Sequence, residues 1–575
     1  MSSRRLLRLA WLVAQWVAIP VAFAAENALP EGSEIDGCIT LHALNWAQMS
    51  DFNFDGYTSP LSDLNPDQSY RVGDIRVVRM PIFDPSNPRE NNWLYGMADR
   101  LHIDTRESVI RHVILPQSGQ MTTLEELEES ERILRNKSYL YDARIVPRRL
   151  CGNRLDIDVV TKEVWSLDLE LNVARSGGEN DFGVGLNDSN FLGGGRSLGI
   201  GYSENLDRQG VHFSYSDPNV GGSRLSTSLF LANNDDGDRQ LLDVRKPFYS
   251  LEARSSLGLR LDKFDQEQGL YFLGNQFAEF RHQSLKADLF GGFSDGLQQN
   301  SVRRFLYGLS FEEDDFEPIS VFSPTPFPED RKLVYPWVGI ESIENDFQKT
   351  ENFDQIYRTE DLFLGRHYLF RLGYSNQMFG GDDQSRLVLQ GTFRDASWVG
   401  KKHLLVYGAS LDGYYNFEQD SSEDLQLAAF ANYRFSHSKH FSLYASITAA
   451  YVKNLPADKQ LLLGGDSGLR GYPNRYQLGD RRFIFTLEER YFSDLYLFNL
   501  FRLGAAVFLD VGRAWSPDFP SANEFGALSD VGLGLRIEST RTRRNRILHV
   551  DLAFPLQDGP DVGGAEFTVK VKQSL

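Results

Sequence analysis

The sequence predicts a mainly β protein, in which a small α/β domain precedes a transmembrane antiparallel β-barrel of about 16 strands. Two observations favour the barrel. Aromatic residues make up 13% of a chain whose mean hydropathy is only −0.37, and apolar and polar residues alternate along most of its length. Half the positions of such a barrel face lipid and half face a wet lumen. The polar average excludes a helical membrane protein, which needs runs of about 20 apolar residues. The net charge of −19 argues against a nucleic-acid-binding protein.

Residues 1–24 are predicted to be a secretory signal peptide. A positively charged start precedes an apolar stretch at 9–23, and residues 22–24 (Ala-Phe-Ala) form an A-x-A cleavage site. An uncleaved membrane anchor is the alternative, but Gln15 and Pro20 interrupt the stretch, which is also short for a membrane span. The mature chain is therefore expected in an oxidising compartment.

Residues 25–69 form an extension to which no domain is assigned, although 39–49 are a candidate short helix or plug. The 2 cysteines of the chain, Cys38 and Cys151, are candidates for one disulfide in an oxidising compartment. Two unpaired thiols are equally compatible with the sequence. Zinc is disfavoured, because no Cys or His residues occur in a paired spacing.

Residues 70–166 are predicted to form a small domain in which the period changes from strand to helix and back. Thr123 and Glu126 make a capping box at the start of its clearest helix. The resulting β-α-α-β-β order predicts helices laid on one face of a three-stranded sheet. The predicted elements are strands at 70–80, 143–150 and 154–165 and helices at 93–101, 106–114 and 123–135.

Pro147 lies inside the second predicted strand of this domain, and proline is tolerated mainly in edge strands. An edge strand can accept another chain by β-augmentation, and Arg144 and Arg148 would attract an acidic partner. We therefore predict a client-binding edge at Arg144, Pro147 and Arg148. The alternative is that Pro147 only protects an edge against aggregation.

From residue 167 onward the hydrophobic period is two. Val211, Phe213 and Tyr215, for example, alternate with polar neighbours. One apolar and one polar face, repeated along about 400 residues between Gly/Asn/Asp clusters, is typical of a membrane barrel. A closed barrel leaves no free strand edges in lipid. The same alternation recurs at 225–231, 483–488, 531–537 and 548–554.

The sequence predicts no enzyme, no metal site and no cofactor. Residues 465–468 (GDSG) and 195–199 (GRSLG) are similar to serine-nucleophile motifs, but no strand-to-helix elbow and no His/Asp set accompanies them, so turns explain both better. The 10 histidines are scattered and no H-E-x-x-H motif occurs.

Residues 464–480 have the sequence GGDSGLRGYPNRYQLGD and lie between two amphipathic segments too far apart for a hairpin turn. This segment resembles the long extracellular loop of the BamA/TamA-type outer-membrane assembly and translocation superfamily, whose hallmark is an (I/V/L)-R-G-(F/Y) tetrapeptide. The tetrapeptide at 469–472 (LRGY) matches it. Residues 70–166 resemble a POTRA domain. Further stretches match in the expected order at 190–195, 216–219, 508–512 and 549–556.

The resemblance implies that this loop folds back into the barrel and that Arg470 pairs with Glu488 and Asp510 on the inner wall. Strand alternation supports the pairing independently, because both acids fall on the lumen-facing parity of their segments. A guanidinium held by two carboxylates would fix the loop. A glycine beside the arginine permits a tight turn, and the ring of the following tyrosine can pack against the wall. The predicted loop-lock residues are Arg470, Gly471, Tyr472, Glu488, Phe508 and Asp510.

The resemblance further implies a bacterial outer-membrane protein with its N-terminal domain in the periplasm, which assists insertion, assembly or translocation of other proteins. Its partners would be the lipid bilayer, unfolded or strand-rich clients and a further periplasmic or outer-membrane protein. The seam between the first and last barrel strands would open to pass the client. A passive diffusion channel is the alternative. One departure from the family is the C-terminus, where Leu575 replaces the usual aromatic on the predicted lipid-facing parity.

Overall fold

A computed structural model describes residues 38–42, 60–83, 88–319, 323–400, 402–517, 526–542, 546–572 and 575. The predicted signal peptide at 1–24 and most of the extension at 25–69 lie outside these residues. Within the described ranges, no helix combines the length and the apolar character needed to cross a membrane.

The N-terminal domain is a five-stranded sheet with helices packed against it. The strand order is β1 (Cys38–Thr40), β4 (Leu140–Cys151), β5 (Arg154–Glu163), β2 (Tyr70–Met80) and β3 (Met121–Thr122). Strands β2 and β5 run parallel, and the other pairs are antiparallel. The Thr123 side chain caps the last helix by accepting from the backbone N–H of Glu126 at 3.3 Å. The elements are β1 (Cys38–Thr40), β2 (Tyr70–Met80), α1 (Trp93–Leu101), α2 (Glu107–Val113), β3 (Met121–Thr122), α3 (Leu124–Arg135), β4 (Leu140–Cys151) and β5 (Arg154–Glu163), with a short 3₁₀-helix at Pro60–Asp63.

The prediction of three strands in this sheet was incomplete. The two additional strands, β1 and β3, have 3 and 2 residues, which is too short for a hydrophobic period to be recognised. The first is held by the disulfide between Cys38 and Cys151, which face each other across β1 and β4. Strands β2, β4 and β5 and helices α2 and α3 enclose one apolar core that includes Leu61, Ile110, Leu127 and Ile157, whereas α1 packs on a separate small cluster through Tyr95.

The rest of the described chain forms a closed antiparallel barrel of 20 strands. Two loops of this barrel contain separate two-stranded sheets, one formed by β16 (Phe347–Thr350) and β17 (Glu360–Phe363) and the other by β23 (Leu461–Leu463) and β24 (Gln477–Gly479). Short 3₁₀-helices occur at Phe191–Gly193, Val220–Gly222 and Gln377–Phe379. The strands are β6 (Leu167–Ser176), β7 (Glu179–Asp188), β8 (Ser197–Glu204), β9 (Gln209–Asp217), β10 (Ser226–Asn234), β11 (Asp238–Lys246), β12 (Ser255–Phe272), β13 (Asn275–Gln298), β14 (Ser301–Glu317), β15 (Arg331–Glu344), β16 (Phe347–Thr350), β17 (Glu360–Phe363), β18 (His367–Ser375), β19 (Arg386–Trp398), β20 (His403–Asn416), β21 (Ser421–Ser436), β22 (Phe441–Lys453), β23 (Leu461–Leu463), β24 (Gln477–Gly479), β25 (Arg481–Leu497), β26 (Phe501–Trp515), β27 (Leu528–Ser539), β28 (Ile547–Pro555) and β29 (Glu566–Lys572).

The mainly β class is as predicted, but the count of about 16 strands was wrong. Several strands meet at turns of two residues, which leave no polar gap in the alternating pattern. The turns between β12 and β13 and between β13 and β14 show this, because Leu273, Gly274, Gln299 and Asn300 take up left-handed conformations that reverse the chain at once.

Side chains on the barrel strands alternate between an exposed apolar exterior and a polar interior. On β27 and β28, Leu533 pairs with Leu552 on the exposed outer face. The neighbouring pair on the inner face is Gly534 and Asp551, and this carboxylate is buried. This arrangement fits a barrel of an outer membrane. We call the end of the barrel that carries the N-terminal domain the proximal end and the opposite end the distal end.

The barrel is closed between its first and last strands, β6 and β29. This junction, called the seam below, has a single residue pair in register among the described residues of the two strands, Val569 with Arg175. The prediction that Leu575 continues the lipid-facing row of β29 was wrong. Leu575 is buried inside the proximal end, where it packs against Ile356 and Phe492.

Candidate functional site

A loop of the distal end, residues 454–480, folds back into the barrel and carries Arg470 to the inner wall. The Arg470 Nε and Nη2 atoms donate to the two carboxylate oxygens of Asp510 at 2.7 and 3.1 Å, and Nη1 donates to Glu488 at 3.1 Å. The guanidinium also lies 3.3 Å from the centroid of the Phe508 ring. A bidentate, stacked arginine is held in a single orientation. The structure thus brings together four of the six predicted loop-lock residues at one point.

The wall around Arg470 balances the charges of the site. Glu488 also accepts from Arg490 at 2.8 Å. Arg536 donates to Asp551 at 2.5 Å and lies 3.5 Å from Glu488, while Asp551 lies 3.5 Å from Arg470. Three arginines therefore meet three carboxylates. Each of these six charged groups has an opposite partner, which buried charges require in a low-dielectric interior.

Gly471 and Tyr472 fix the chain on either side of this contact. The backbone N–H of Gly471 donates to Asp530 at 3.1 Å, and a Cβ at this position would lie 2.8 Å from the Asp530 Cβ. The Tyr472 hydroxyl contacts the carbonyl of Ser529 at 3.0 Å and the Gln557 side chain at 2.8 Å. Its ring belongs to an apolar cluster that ties the loop to the wall.

The same loop reaches both strands of the seam. The Asn474 side chain donates to the carbonyl of Ser176 at the end of β6, at 2.9 Å. On the other side, Lys570 of β29 donates to the carbonyl of Gly465 at 3.3 Å. The loop therefore bridges the seam, which the strand ladder closes only weakly.

A second segment enters the barrel from the proximal end. Residues 345–366 connect β15 to β18 and contain the hairpin of β16 and β17; we call this segment the proximal plug. Ile356 and Tyr357 pack against Phe492 and Ile547, both of which face the lumen. The backbone N–H of Ile356 donates to Glu538 at 2.5 Å. Arg434 on the inner wall donates to the backbone carbonyl of Phe353.

Glu360 organises the turn of the proximal plug. Its carboxylate accepts from the backbone N–H groups of Phe353 and Asp354, each at 2.8 Å, and of Gln355 at 3.3 Å. Burial, together with the nearby charge of Asp354, raises the pKa of Glu360 to about 8. The plug therefore contains a carboxyl group that titrates near neutral pH.

The proximal plug is also docked onto the N-terminal domain. Asp361 accepts from Arg135 at 2.7 and 2.6 Å, and Lys349 donates to Glu131 at 2.6 Å. Although burial of Glu131 opposes its ionisation, Arg135 and Lys349 hold the pKa of this carboxyl below its usual range. Arg358 donates to the Tyr141 carbonyl at 3.2 Å. The domain and the plug therefore share a buried charged interface.

The predicted client-binding edge is covered in this structure. Arg144 is buried and donates to Thr359 of the proximal plug at 3.2 Å. Pro147 is buried as well, and Arg148 contacts Asp74 at 2.5 Å. Because the plug contacts Arg144, an acidic client cannot reach this residue without displacing the plug, whereas Arg148 stays partly exposed beside Asp74.

One group of possible metal ligands occurs in the described ranges, formed by His102, Asp104 and Glu163 within 4.8 Å of one another. The His102 ring and the Glu163 carboxylate are joined by a hydrogen bond of 2.8 Å, and Glu163 also accepts from the Thr105 backbone N–H at 3.0 Å. These bonds explain the group without a metal.

Sequence reasoning missed Asp551, Arg490 and Arg536 of the wall and the whole proximal plug. The three wall residues lie on the inward parity of their strands, so alternation places them in the lumen. That parity is shared by many other residues, however, and only the loop motif singled out Glu488 and Asp510. The strands of the plug have 4 residues each and merge with the surrounding pattern.

Comparison with known proteins finds no matching family model and no matching curated protein. Solved structures with a similar fold include BamA from Haemophilus ducreyi lacking POTRA domains 1–3, at 14% identity, a TM-score of 0.39 and coverage of 86% of this chain and 84% of that chain. CdiB from Acinetobacter baumannii is 12% identical, with a TM-score of 0.39 and coverage of 98% and 96%. CdiB from Escherichia coli is 13% identical, with a TM-score of 0.38 and coverage of 88% and 91%.

Proposed function

We propose that this chain is an outer-membrane barrel that assists the insertion, assembly or translocation of other proteins, with its proximal end and N-terminal domain in the periplasm. The domains we propose are the signal peptide at 1–24, the extension at 25–69, the POTRA-like domain at 70–166 and the barrel at 167–575. The chain would carry out this task without enzymatic chemistry or a cofactor.

The observation that carries this proposal is the weak seam. Within the part of the chain that the structure describes, one residue pair joins β6 to β29, whereas ten join β6 to β7 and seven join β28 to β29. Strand edges without a full ladder are templates for another strand. A client strand that paired there would satisfy backbone groups in lipid, which is a strong driving force where water is absent.

The two segments inside the lumen fit a gated transporter better than a passive channel. The loop at 454–480 is anchored by Arg470, and the proximal plug packs against Phe492 and Ile547. A client entering from the proximal end would have to displace the plug, and this displacement would uncover the edge of β4 at Arg144 and Pro147. Client capture at that edge would therefore be coupled to plug release.

The experiment is to close the seam with a second disulfide. Val569 and Arg175 are directly paired, so Arg175→Cys with Val569→Cys brings two thiols across it. The matched control, Leu533→Cys with Leu552→Cys, joins two strands that are already fully laddered. The proposal expects cells with the closed seam to lose barrel proteins from the outer membrane or proteins from the medium, as measured by quantitative mass spectrometry, and to recover them with reductant.

A proteome unchanged by the closed seam, relative to the control pair, would contradict the proposal. Steady ion conductance of the purified protein in planar bilayers, combined with that result, would favour the passive channel instead.

A further inference from the structure

Helix α1 of the N-terminal domain has an apolar stripe that none of the described residues covers. Trp93, Leu94, Met97 and Leu101 are all exposed, Trp93 by 78% and Leu101 by 66%. At 100° per residue these four positions span about 100° of the helix surface. Tyr95, on another side of the helix, is buried. The helix thus has one face packed on the protein and a second apolar face turned outward.

The packed face ties α1 to the proximal rim of the barrel. The Tyr95 hydroxyl donates to the carbonyl of Phe498 at 2.6 Å, and its ring stacks on Phe83 at 4.3 Å. Phe498 lies in the turn between β25 and β26. Leu500 of the same turn joins the small apolar cluster beneath the helix. The position of α1 relative to the barrel wall is therefore set by direct contacts.

Arg541 strengthens this attachment. From the turn between β27 and β28, it donates to the Ile82 carbonyl and to the Glu90 carboxylate, each at 2.6 Å, and to the Asn499 carbonyl at 3.2 Å. One buried guanidinium thus joins the segment before α1 to two turns of the barrel. A charge-assisted junction of this kind holds the helix at a fixed height on the rim.

The exposed stripe is continuous with the outer surface of the barrel. The Phe498 side chain, whose backbone carries the bond to Tyr95, is 76% exposed. It extends an exposed apolar row on the outside of β25 and β26 that includes Leu495, Leu497 and Phe501. That outer surface is the one a membrane barrel presents to lipid.

We infer that α1 is an interfacial helix whose Trp93–Leu101 stripe lies in the lipid leaflet at the proximal end of the barrel. Tryptophan at the edge of such a stripe suits the boundary between headgroups and acyl chains, where its amphipathic ring is favoured. The helix then anchors the N-terminal domain to the membrane beside the barrel. The inference goes beyond the proposed transport function and requires only that the barrel spans a membrane.

The test uses two neighbouring positions of the same helix. The 2 native cysteines of the chain are joined in a disulfide, so a single introduced cysteine can be labelled alone with an environment-sensitive dye. Met97→Cys lies on the stripe. Gly96→Cys is the matched control, because Gly96 is exposed off the stripe and its added Cβ meets no atom within 4 Å. Leu533→Cys on the lipid face of the barrel reports membrane insertion itself.

The labelled full-length protein is reconstituted in vesicles of phosphatidylethanolamine and phosphatidylglycerol. We expect brominated lipids to quench the dye at position 97 several-fold more than at 96, and iodide to quench position 96 more. Equal iodide quenching at 96 and 97, with position 533 in lipid, would overturn the inference. Shielding of position 97 from both quenchers would also overturn it, because a second copy of the chain would then cover the stripe. Iodide quenching at position 533 would contradict both the inference and its premise that the barrel spans the membrane.

Discussion

Replacing Arg470 by alanine is expected to release the distal loop from the inner wall. The side chain is 8% exposed and makes its shortest bonds to Asp510. Removing one partner of a buried ion pair costs about 3–5 kcal/mol, because the remaining charge is left unpaired. Glu488 would keep Arg490, so most of the cost falls on Asp510, which would lose its guanidinium partner and keep the Thr486 hydroxyl as a donor at 2.8 Å. We therefore expect a free energy of unfolding lower by about 3–5 kcal/mol.

The same loop offers a control. Arg475 pairs with Asp207 at 2.7 Å near the surface, where an ion pair contributes about 0–1 kcal/mol, so Arg475→Ala should cost much less. Both variants are compared in detergent micelles by urea unfolding, followed by circular dichroism, and by protease cleavage of the loop. Adding Asp510→Asn to Arg470→Ala should restore part of the loss, because it removes the unpaired charge. Equal unfolding midpoints for Arg470→Ala and Arg475→Ala would refute the reasoning.

Two further predictions concern the proximal end. The pKa of Glu360 is about 8 in the docked plug, compared with an ordinary value of 4.5. Protonated Glu360 therefore stabilises docking fully below about pH 4.5, and this stabilisation is lost as the pH rises through about 8. Channel openings in planar bilayers should become more frequent from about pH 6 to about pH 9 in the native protein and stay level in Glu360→Gln; identical pH profiles would contradict this. The disulfide joins residues 113 apart, and closing a loop of about 100 residues stabilises a protein by about 4–5 kcal/mol. The double variant Cys38→Ser with Cys151→Ser should therefore lower the thermal midpoint of the N-terminal domain and expose β1 to protease. An unchanged midpoint would contradict this prediction.

The barrel could be predicted from the sequence because alternation is a local rule, whereas the loop contact at Arg470 was implied by the resemblance of the loop motif. Alternation of period two assigns each residue to one face, so the inward direction of Glu488 and Asp510 followed from their strands alone. The same rule applies to Arg490 and Asp551. Their part in the site depends on the register between β25 and β28 and on the depth reached by the loop, which are properties of the closed barrel.

Other features depend on contacts between distant segments that no local period encodes. Residues 345–366 enter the lumen because Ile356 meets Phe492 and because Arg135 meets Asp361 more than 200 residues away in sequence. The same contacts bury Arg144, which a strand-edge argument treats as accessible. The short turns on either side of β13 leave no polar gap between strands, so a strand count based on such gaps was too low.

Hydrogen–deuterium exchange of the reconstituted full-length barrel tests the central claim most directly, because it measures how often each strand ladder opens. If the seam is the place where the barrel opens, backbone amides of β6 (Leu167–Ser176) and β29 (Glu566–Lys572) on the sides facing each other should exchange at least about tenfold faster than those joining β25 to β26. Equal protection at the seam and at the β25–β26 junction would contradict the account.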